Sequence, residues 1–401
     1  VDDTAAKRFA EVFYDRMLAG ENFANAVKAA RATCFREFPR TNTWGAYQCY
    51  GDQYYQLVKK PQKSGDAYHY ILEKEILIDL ENFIDDTKSN RKRKDNFLEK
   101  LQLISRGIDD TNLRNARITE LEIRAYVELQ EYEIALQKFE ILFKEKEANF
   151  SVKALELWCN CKIKVLSKMS NSIDKKLLRK ELARTSKKMN DLLELGETSE
   201  RHNLMGSIQK RRFMIFDKIK EQRKALIDSA DHYRMGYDIS KEMYSLTSWV
   251  IAEKLVNDEK RMSELDKIFG KNTLTYIEDL LDNLTDNKKN HDEFWDIIKP
   301  VNLKQVELLF YVDENDDKKA KISANLKKRK SIVTTIKDLY SQVWKNGGGS
   351  PRHIASEILQ MDFILKSLKV FEKAKPVAKR RNLETTINAM NELINFFKGL
   401  R

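Results

Sequence analysis

The chain has 401 residues, of which 42% are hydrophobic and 34% charged, so it can bury a sizeable core under a solvated surface. Five prolines and 13 glycines are few for this length, which argues against an all-β architecture and favours long helices. The net charge of +11 indicates acidic or nucleic-acid partners only weakly. No uncharged apolar stretch of about 18 residues is present, so the sequence predicts no membrane span.

The first predicted elements are two amphipathic helices and one strand. Apolar residues recur at three- and four-residue spacing over residues 9–17 and again over residues 23–38. Gly20 is suited to the end of the first helix. Residues 43–50 are rich in aromatic side chains and predict a strand, whose backbone groups would need partners from other strands.

This opening segment resembles a known family. The run VDDTAAKRFAEVFYDRMLAGENFANAVKAAR, followed by FPRTNTWGAYQCYGD, is similar to the carboxy-terminal part of the CHAT family, caspase-like proteins commonly attached to tetratricopeptide repeats. The resemblance implies that residues 1–58 are a remnant of a caspase-like α/β domain. It also implies a cysteine peptidase in which a His activates a Cys for attack on a carbonyl. In the family both groups precede this segment, so no catalytic residue is expected within the chain.

The four cysteines indicate a reducing compartment, and the cytoplasm is the expected location. Cys34 and Cys49 fall in the predicted helix and strand, where we expect core packing and not nucleophilic chemistry. Cys159 and Cys161 are two residues apart on a predicted helix, so their thiols point about 200° apart and cannot share a metal ion. No metal ion or cofactor is expected.

The remainder of the chain is predicted to be helical. Residues 59–66 are charged, contain Pro61 and predict a linker. A region of repeats similar to tetratricopeptide repeats (TPR) is expected over residues 67–260, followed by a helical region over residues 261–401. The predicted fold class is therefore mainly α: a solenoid of TPR-like helical hairpins preceded by a truncated α/β remnant of two helices and one strand.

Two segments carry the repeat pattern. In residues 118–147, Ala135 is the small residue at a helix crossing and Phe139 the aromatic residue that packs against the first helix. Residues 199–240 form the second candidate, with Gly206, Ser229, Tyr233 and Gly236 in the corresponding roles. The spacing between the two segments is not a whole number of ideal repeats. A hairpin of residues 152–166 and 173–195 is predicted between them.

Five more helices are predicted towards the end of the chain, at residues 273–284, 294–310, 320–344, 351–371 and 383–397. The basic runs at residues 91–94 and 327–330 are interpreted as exposed helix faces. The acidic turn at residues 313–317 lacks the glycine and glutamate of a calcium loop. The glycine-rich loop at residues 347–350 lacks the lysine of a phosphate-binding loop. Structural roles are expected for His202, His232, His291 and His353.

Three functions follow from these observations. The first is the carboxy-terminal part of a CHAT-type cysteine peptidase, whose helical repeats dock a protein substrate or regulator. The second is a non-catalytic TPR-like interaction scaffold that binds a protein partner. The third, and the least favoured, is a basic helical protein that binds nucleic acid. No residue pattern specifies an oligomeric state.

Overall fold

The structure is a computed structural model. It describes residues 2–58, 68–89, 94–144, 150–169, 174–286, 294–311, 319–345, 351–375 and 383–400. The chain forms two compact units, Val1–Ala67 and Tyr68–Arg401. The predicted linker at residues 59–66 lies outside the described residues.

The first unit contains helices α1 (Asp3–Leu18), α2 (Phe23–Glu37) and α3 (Thr43–Ala46). Asp2 caps α1, because its carboxylate accepts a hydrogen bond from the Ala5 amide at 2.9 Å. Gly20 has a φ of 82°, a left-handed conformation that suits glycine after a helix end. The unit buries a small core, in which Phe9, Ala30 and Cys34 are covered by a few partly buried neighbours.

The strand predicted at residues 43–50 is wrong. Thr43–Ala46 is the short helix α3, and the residues after it are irregular. The Tyr47 carbonyl accepts a hydrogen bond from Arg31 at 2.7 Å, and the Tyr47 ring stacks on Phe9 with centroids 4.5 Å apart. Side chains of α1 and α2 therefore contact this segment, and Arg31 supplies a hydrogen-bond partner for one of its backbone groups. The described residues contain no sheet, and their extended pairing is limited to one isolated bridge between Asn22 and Gln56.

The second unit is a succession of helices. These are α4 (Glu73–Ser89), α5 (Lys94–Asp109), α6 (Ala116–Glu128), α7 (Tyr132–Leu142), α8 (Val152–Lys168), α9 (Lys175–Leu195), α10 (Ser199–Ile215), α11 (Ile219–Ser240), α12 (Met243–Val256), α13 (Glu259–Phe269), α14 (Thr273–Asp286), α15 (Phe294–Phe310), α16 (Lys319–Lys345), α17 (Pro351–Lys373) and α18 (Glu384–Leu400). Consecutive helices pack as hairpins, with α6 on α7, α8 on α9, and α10 on α11. Helix α10 also contacts α8 and α17. The prediction of stacked helical hairpins is confirmed.

The described residues of the second unit form three hydrophobic clusters. One extends from Ile76 to Val165, a second from Cys159 to Phe216, and the largest from Phe213 to Phe397. The predicted boundary between residues 260 and 261 falls inside α13, and the largest cluster contains residues on both sides of it. The helices after residue 260 therefore share a core with those before it.

Helix α12 is one of the elements that the sequence analysis did not name. Every residue from Ser245 to Val256 is buried except Lys254. A helix that is buried on all sides has no amphipathic period, so the three- and four-residue spacing that revealed the other helices is missing. The turn after it is left-handed at Asn257, which has a φ of 52°.

Candidate functional site in the helical repeats

The crossing of α6 and α7 has the predicted packing. Ala125, Ala135 and Phe139 are all buried, and the Phe139 ring lies 5.7 Å from that of Phe143. Small residues allow two helices to approach closely, and the aromatic ring then fills the space beside the crossing. Ala135 and Phe139 are therefore core residues in the same cluster as Ala125 of α6, and the packing of the Phe139 ring against the first helix stays a prediction.

The crossing of α10 and α11 is closer still. A Cβ atom at Gly206 would lie 3.0 Å from the ring of Tyr233, and one at Gly236 would lie 2.8 Å from the Asn203 side-chain oxygen. The Ser229 hydroxyl donates a hydrogen bond to the Gly206 carbonyl at 2.9 Å. The two glycines are thus required by tight packing between the helices.

Charged side chains inside the first hairpins are well paired. Glu122 on α6 is fully buried, and Arg114 and Lys138 each lie 2.8 Å from its carboxylate. Ser105 on α5 donates a further hydrogen bond to Glu122. A buried carboxylate with two cations and a hydroxyl has its charge compensated, as expected for an ion that stabilises a core.

Three consecutive basic residues on α10, Lys210, Arg211 and Arg212, have uncharged hydrogen-bond partners instead. Lys210 donates to Gln360 on α17, and its ammonium lies 4.7 Å from the Phe363 ring centroid. Burial lowers the pKa of Lys210 to about 7, and the charge of Arg211 lowers it further. Arg212 donates to Gln209 at 3.1 Å. None of the three makes a salt bridge with a carboxylate among the residues that the structure describes.

Arg211 is surrounded by hydroxyl groups. Its guanidinium donates to the Ser207 hydroxyl at 2.5 Å and to the Ser207 carbonyl at 3.3 Å. Burial lowers the pKa of Arg211, while Tyr233, Tyr244 and Tyr132, all close enough to act on its charge, raise it. We call Arg211, Ser207 and these three tyrosines the Arg211 cluster. The cluster combines one cation with several hydrogen-bonding hydroxyls, an arrangement that suits an anion.

Two histidines that the sequence analysis treated as structural lie together at the seam between α10 and α11. The Nδ1 atoms of His202 and His232 are 3.2 Å apart, so one ring donates a hydrogen bond to the other. His202 is 2% exposed. Burial lowers the pKa of His232, and the neighbouring His202 lowers it further. The His232 ring is therefore suited to the neutral form.

The cysteines are placed as core residues. Cys34 is buried beside the Ala5 carbonyl, and burial raises the pKa of its thiol, which disfavours the thiolate that a nucleophile needs. Burial likewise raises the pKa of Cys159 to about 12. Cys159 and Cys161 belong to different hydrophobic clusters, as expected from thiols on opposite sides of a helix. Cys49 packs at the edge of the small core of the first unit.

The described part of the chain shows no group of three or more His, Cys, Asp or Glu side chains that could hold a metal ion. None of its helices is long and apolar enough to cross a membrane. The acidic turn at residues 313–317, the glycine-rich loop at residues 347–350 and His291 lie outside the described residues.

The basic run at residues 327–330 is only partly an exposed helix face. Arg329 is 2% exposed and donates to the Tyr311 carbonyl and, at 2.7 Å, to the Thr385 hydroxyl. Lys328 lies 3.1 Å from Glu307, a fully buried carboxylate. A basic run on one helix therefore contributes to a core here, because the acceptors come from other helices. Of the run at residues 91–94, the structure describes the backbone of Lys94 alone.

One known family matches part of this chain. Residues 131–253 match the family described as TPR-S, Tetratricopeptide Repeats-Sensor. The match covers less than half of the chain, from the residue before α7 into α12, and contains the Arg211 cluster and the histidine pair. It does not extend to residues 1–58. No curated protein matches the chain. The helical hairpins of residues 131–253 are thus similar to the TPR-S family and form TPR-like repeats.

Proposed function

We propose that the chain docks a protein partner on its helical repeats. The observation that carries the proposal is the stack of consecutive helical hairpins within residues 131–253, where α7 contacts α8 and α8 contacts α10. TPR-type repeats generally mediate protein–protein interaction, because stacked hairpins present an extended surface. The four cysteines form no disulfide in the described part of the chain, which supports a reducing compartment, and we propose the cytoplasm as the location.

An exposed apolar pair marks one place where a partner could bind. Met235 and Ile239 on α11 are 48% and 50% exposed. Residues four apart share one face of a helix, so the two side chains form a continuous apolar surface. A partner that covered both side chains would remove their apolar surface from water, and this burial would contribute favourably to the free energy of binding.

Peptide selection tests the docking proposal. A random peptide library displayed on phage is selected against the full chain, and the selected peptides are synthesised for titration. We expect saturable binding that Ile239→Asp weakens at least about tenfold, because loss of one interface anchor costs roughly 1–2 kcal/mol. The matched control is Leu18→Asp on α1, which replaces a side chain that is 60% exposed and lies outside the repeats. The absence of a saturable peptide, or equal weakening by both variants, contradicts the proposal.

A second proposal is that residues 1–58 belong to a CHAT-type peptidase domain, so that the docked partner is its substrate or regulator. The supporting observation is an unusually apolar surface. In the first unit, large apolar side chains are exposed at Tyr14, Leu18, Phe35, Trp44, Tyr47, Tyr50, Tyr54, Tyr55, Leu57 and Val58. Contiguous exposed apolar residues mark surfaces that another part of a protein covers. The other part of such a peptidase domain would supply that cover.

The reading frame upstream of Val1 tests this second proposal. A His and a Cys on loops at the ends of predicted strands are expected there, and their absence contradicts the peptidase assignment. The chain itself is expected to cleave no peptide, because burial disfavours the Cys34 thiolate. Turnover by the purified chain that Cys34→Ser or Cys49→Ser abolishes would show that the nucleophile lies within it.

A further inference from the structure

We infer that the Arg211 cluster is a binding site for a phosphate group. The inference goes beyond protein docking, because it assigns a ligand chemistry to named side chains and needs no protein partner. The cluster lies within the residues that match the TPR-S family.

The first argument is the uncompensated charge of Arg211. Two other partly buried arginines of the same unit bind carboxylates: Arg114 binds Glu122 at 2.8 Å, and Arg201 binds Glu156 at 2.7 Å. Arg211 is half-buried, yet within the described residues its hydrogen bonds go to Ser207 on its own helix. A cation withdrawn from water without a counter-charge is unfavourable. An anion from outside the protein would remove that cost.

The second argument is an orphaned donor beside the guanidinium. Tyr233 is fully buried, and its hydroxyl has no hydrogen-bond partner of acceptable geometry. The side chains of Tyr244 and Ser207 lie beside that hydroxyl. Buried polar groups are almost always paired, so an unpaired hydroxyl beside a cation that has no carboxylate partner among the described residues indicates a place for a ligand.

Access and a second positive charge come from neighbouring helices. Tyr244 on α12 is 48% exposed, so this member of the cluster reaches the solvent. Its ring lies 6.1 Å from that of Tyr233, edge to face. On the side of α7, Lys164 donates to the Tyr132 hydroxyl at 2.9 Å. The hydroxyl groups of the cluster therefore come from four helices, α7, α10, α11 and α12.

The number of donors favours phosphate over carboxylate. A carboxylate has two acceptor oxygens and one negative charge. A phosphate monoester has three terminal oxygens and a charge of about −1.5 to −2 at neutral pH. The guanidinium offers a planar fork of N–H donors, and the tyrosine and serine hydroxyls add further donors. Three oxygens and nearly two charges match this set better than two oxygens and one charge.

Titration of the full chain with phenyl phosphate and with inorganic phosphate tests the inference. The variant is Arg211→Gln, and the matched control is Arg212→Gln, which removes the same charge from the next position, about 100° around the helix. We expect wild-type binding that Arg211→Gln weakens at least about tenfold and Arg212→Gln less than about twofold. Equal weakening by the two variants would mean diffuse attraction to a basic helix and would overturn the site, as would no binding by the wild type.

Two further probes distinguish the possible sources of the phosphate group, a phosphorylated protein and a free phosphate compound. A short peptide with one phosphoserine is compared with inorganic phosphate and with the same peptide carrying glutamate. Binding of the phosphopeptide well above that of inorganic phosphate assigns the site to a phosphorylated protein, whereas equal binding assigns it to a free phosphate compound. Equal binding of the glutamate peptide overturns the preference for phosphate.

Folding of the variant is checked without ligand. Arg211→Gln removes an uncompensated charge, so we expect its denaturation midpoint to equal or exceed that of the wild type. Phosphate should raise the melting temperature of the wild type and not that of the variant. If Arg211→Gln lowers the midpoint without ligand, Arg211 is held by contacts within the protein and the inference is wrong.

Discussion

The first unit and the α6–α11 hairpins are built from similar amphipathic helices, but the hairpins bury far more of their apolar side chains. Phe139 on α7 is 1% exposed, whereas Phe35 on α2 is 58% exposed. The small core of the first unit rests on Phe9, Ala30 and Cys34, whereas the hairpins contribute to three larger clusters. An amphipathic pattern thus shows which face of a helix is apolar, and the partners of that face decide how much stability it contributes.

The largest expected effect comes from replacing an aromatic residue in each region. Phe139→Ala should lower the free energy of unfolding of the repeat unit by about 3–5 kcal/mol, because it removes buried area and leaves a cavity. Phe35→Ala is the matched control in the first unit. It should change the free energy of unfolding of the first unit by no more than about 0.5 kcal/mol. Chemical denaturation followed by circular dichroism measures both. Equal losses in the two variants would remove the distinction between the regions.

A smaller effect is expected at the glycine crossing. Gly206→Ala places a Cβ atom 3.0 Å from the buried Tyr233 ring, and such overpacking costs about 1–3 kcal/mol, partly offset by about 1 kcal/mol of helix propensity. Gly45→Ala is the control, because a Cβ atom there would have no neighbour within 4 Å. Denaturation midpoints should fall for the first variant alone. An unchanged midpoint for Gly206→Ala would show that the crossing is looser than described.

The histidine pair predicts a pH dependence of the repeat unit. Burial and His202 lower the pKa of His232, while Asp228 and Asp231 oppose the shift. In the unfolded chain His232 has the ordinary histidine pKa of about 6.5, so the unfolded chain binds more protons than the folded one as the pH drops through that value. Stability should therefore fall as the pH drops. Melting temperatures from about pH 7.5 to about pH 5.5 measure this for the wild type and for His232→Gln. The variant should show the shallower dependence, and parallel curves would exclude His232 as its source.

The smallest expected effect is on the exposed surface of the first unit. Tyr54 is 73% exposed, so Tyr54→Ser should change stability by no more than about 0.5 kcal/mol. The melting temperature of the chain measures it. A large loss would mean that this side chain is buried in solution, for example against a second copy of the chain.

The sequence predicts most of the helices but not everything around them. The helix at residues 273–284 has a clear apolar period and is found as Thr273–Asp286. The aromatic segment at residues 43–50 was predicted to be a strand because aromatic residues favour pleated surfaces, yet Phe9 and Arg31 provide its contacts instead. Helix α12 was not named because it is buried on nearly all sides.

The candidate site was harder to predict than the fold. Lys210, Arg211 and Arg212 are adjacent in the sequence, but the lack of a carboxylate near Arg211 depends on which helices pack against α10. His202 and His232 are separated by a loop and two helical segments, and only the crossing of α10 and α11 brings their Nδ1 atoms together. Contacts across a crossing depend on tertiary packing, which a local pattern does not report.

Amide hydrogen exchange of the full chain tests the central distinction most directly. Amides in α10 and α11 are expected to exchange at least about 100-fold more slowly than amides in α1 and α2, because extensive burial limits local opening in the repeats and the first unit has a small core. Equal protection in the two regions would contradict the account.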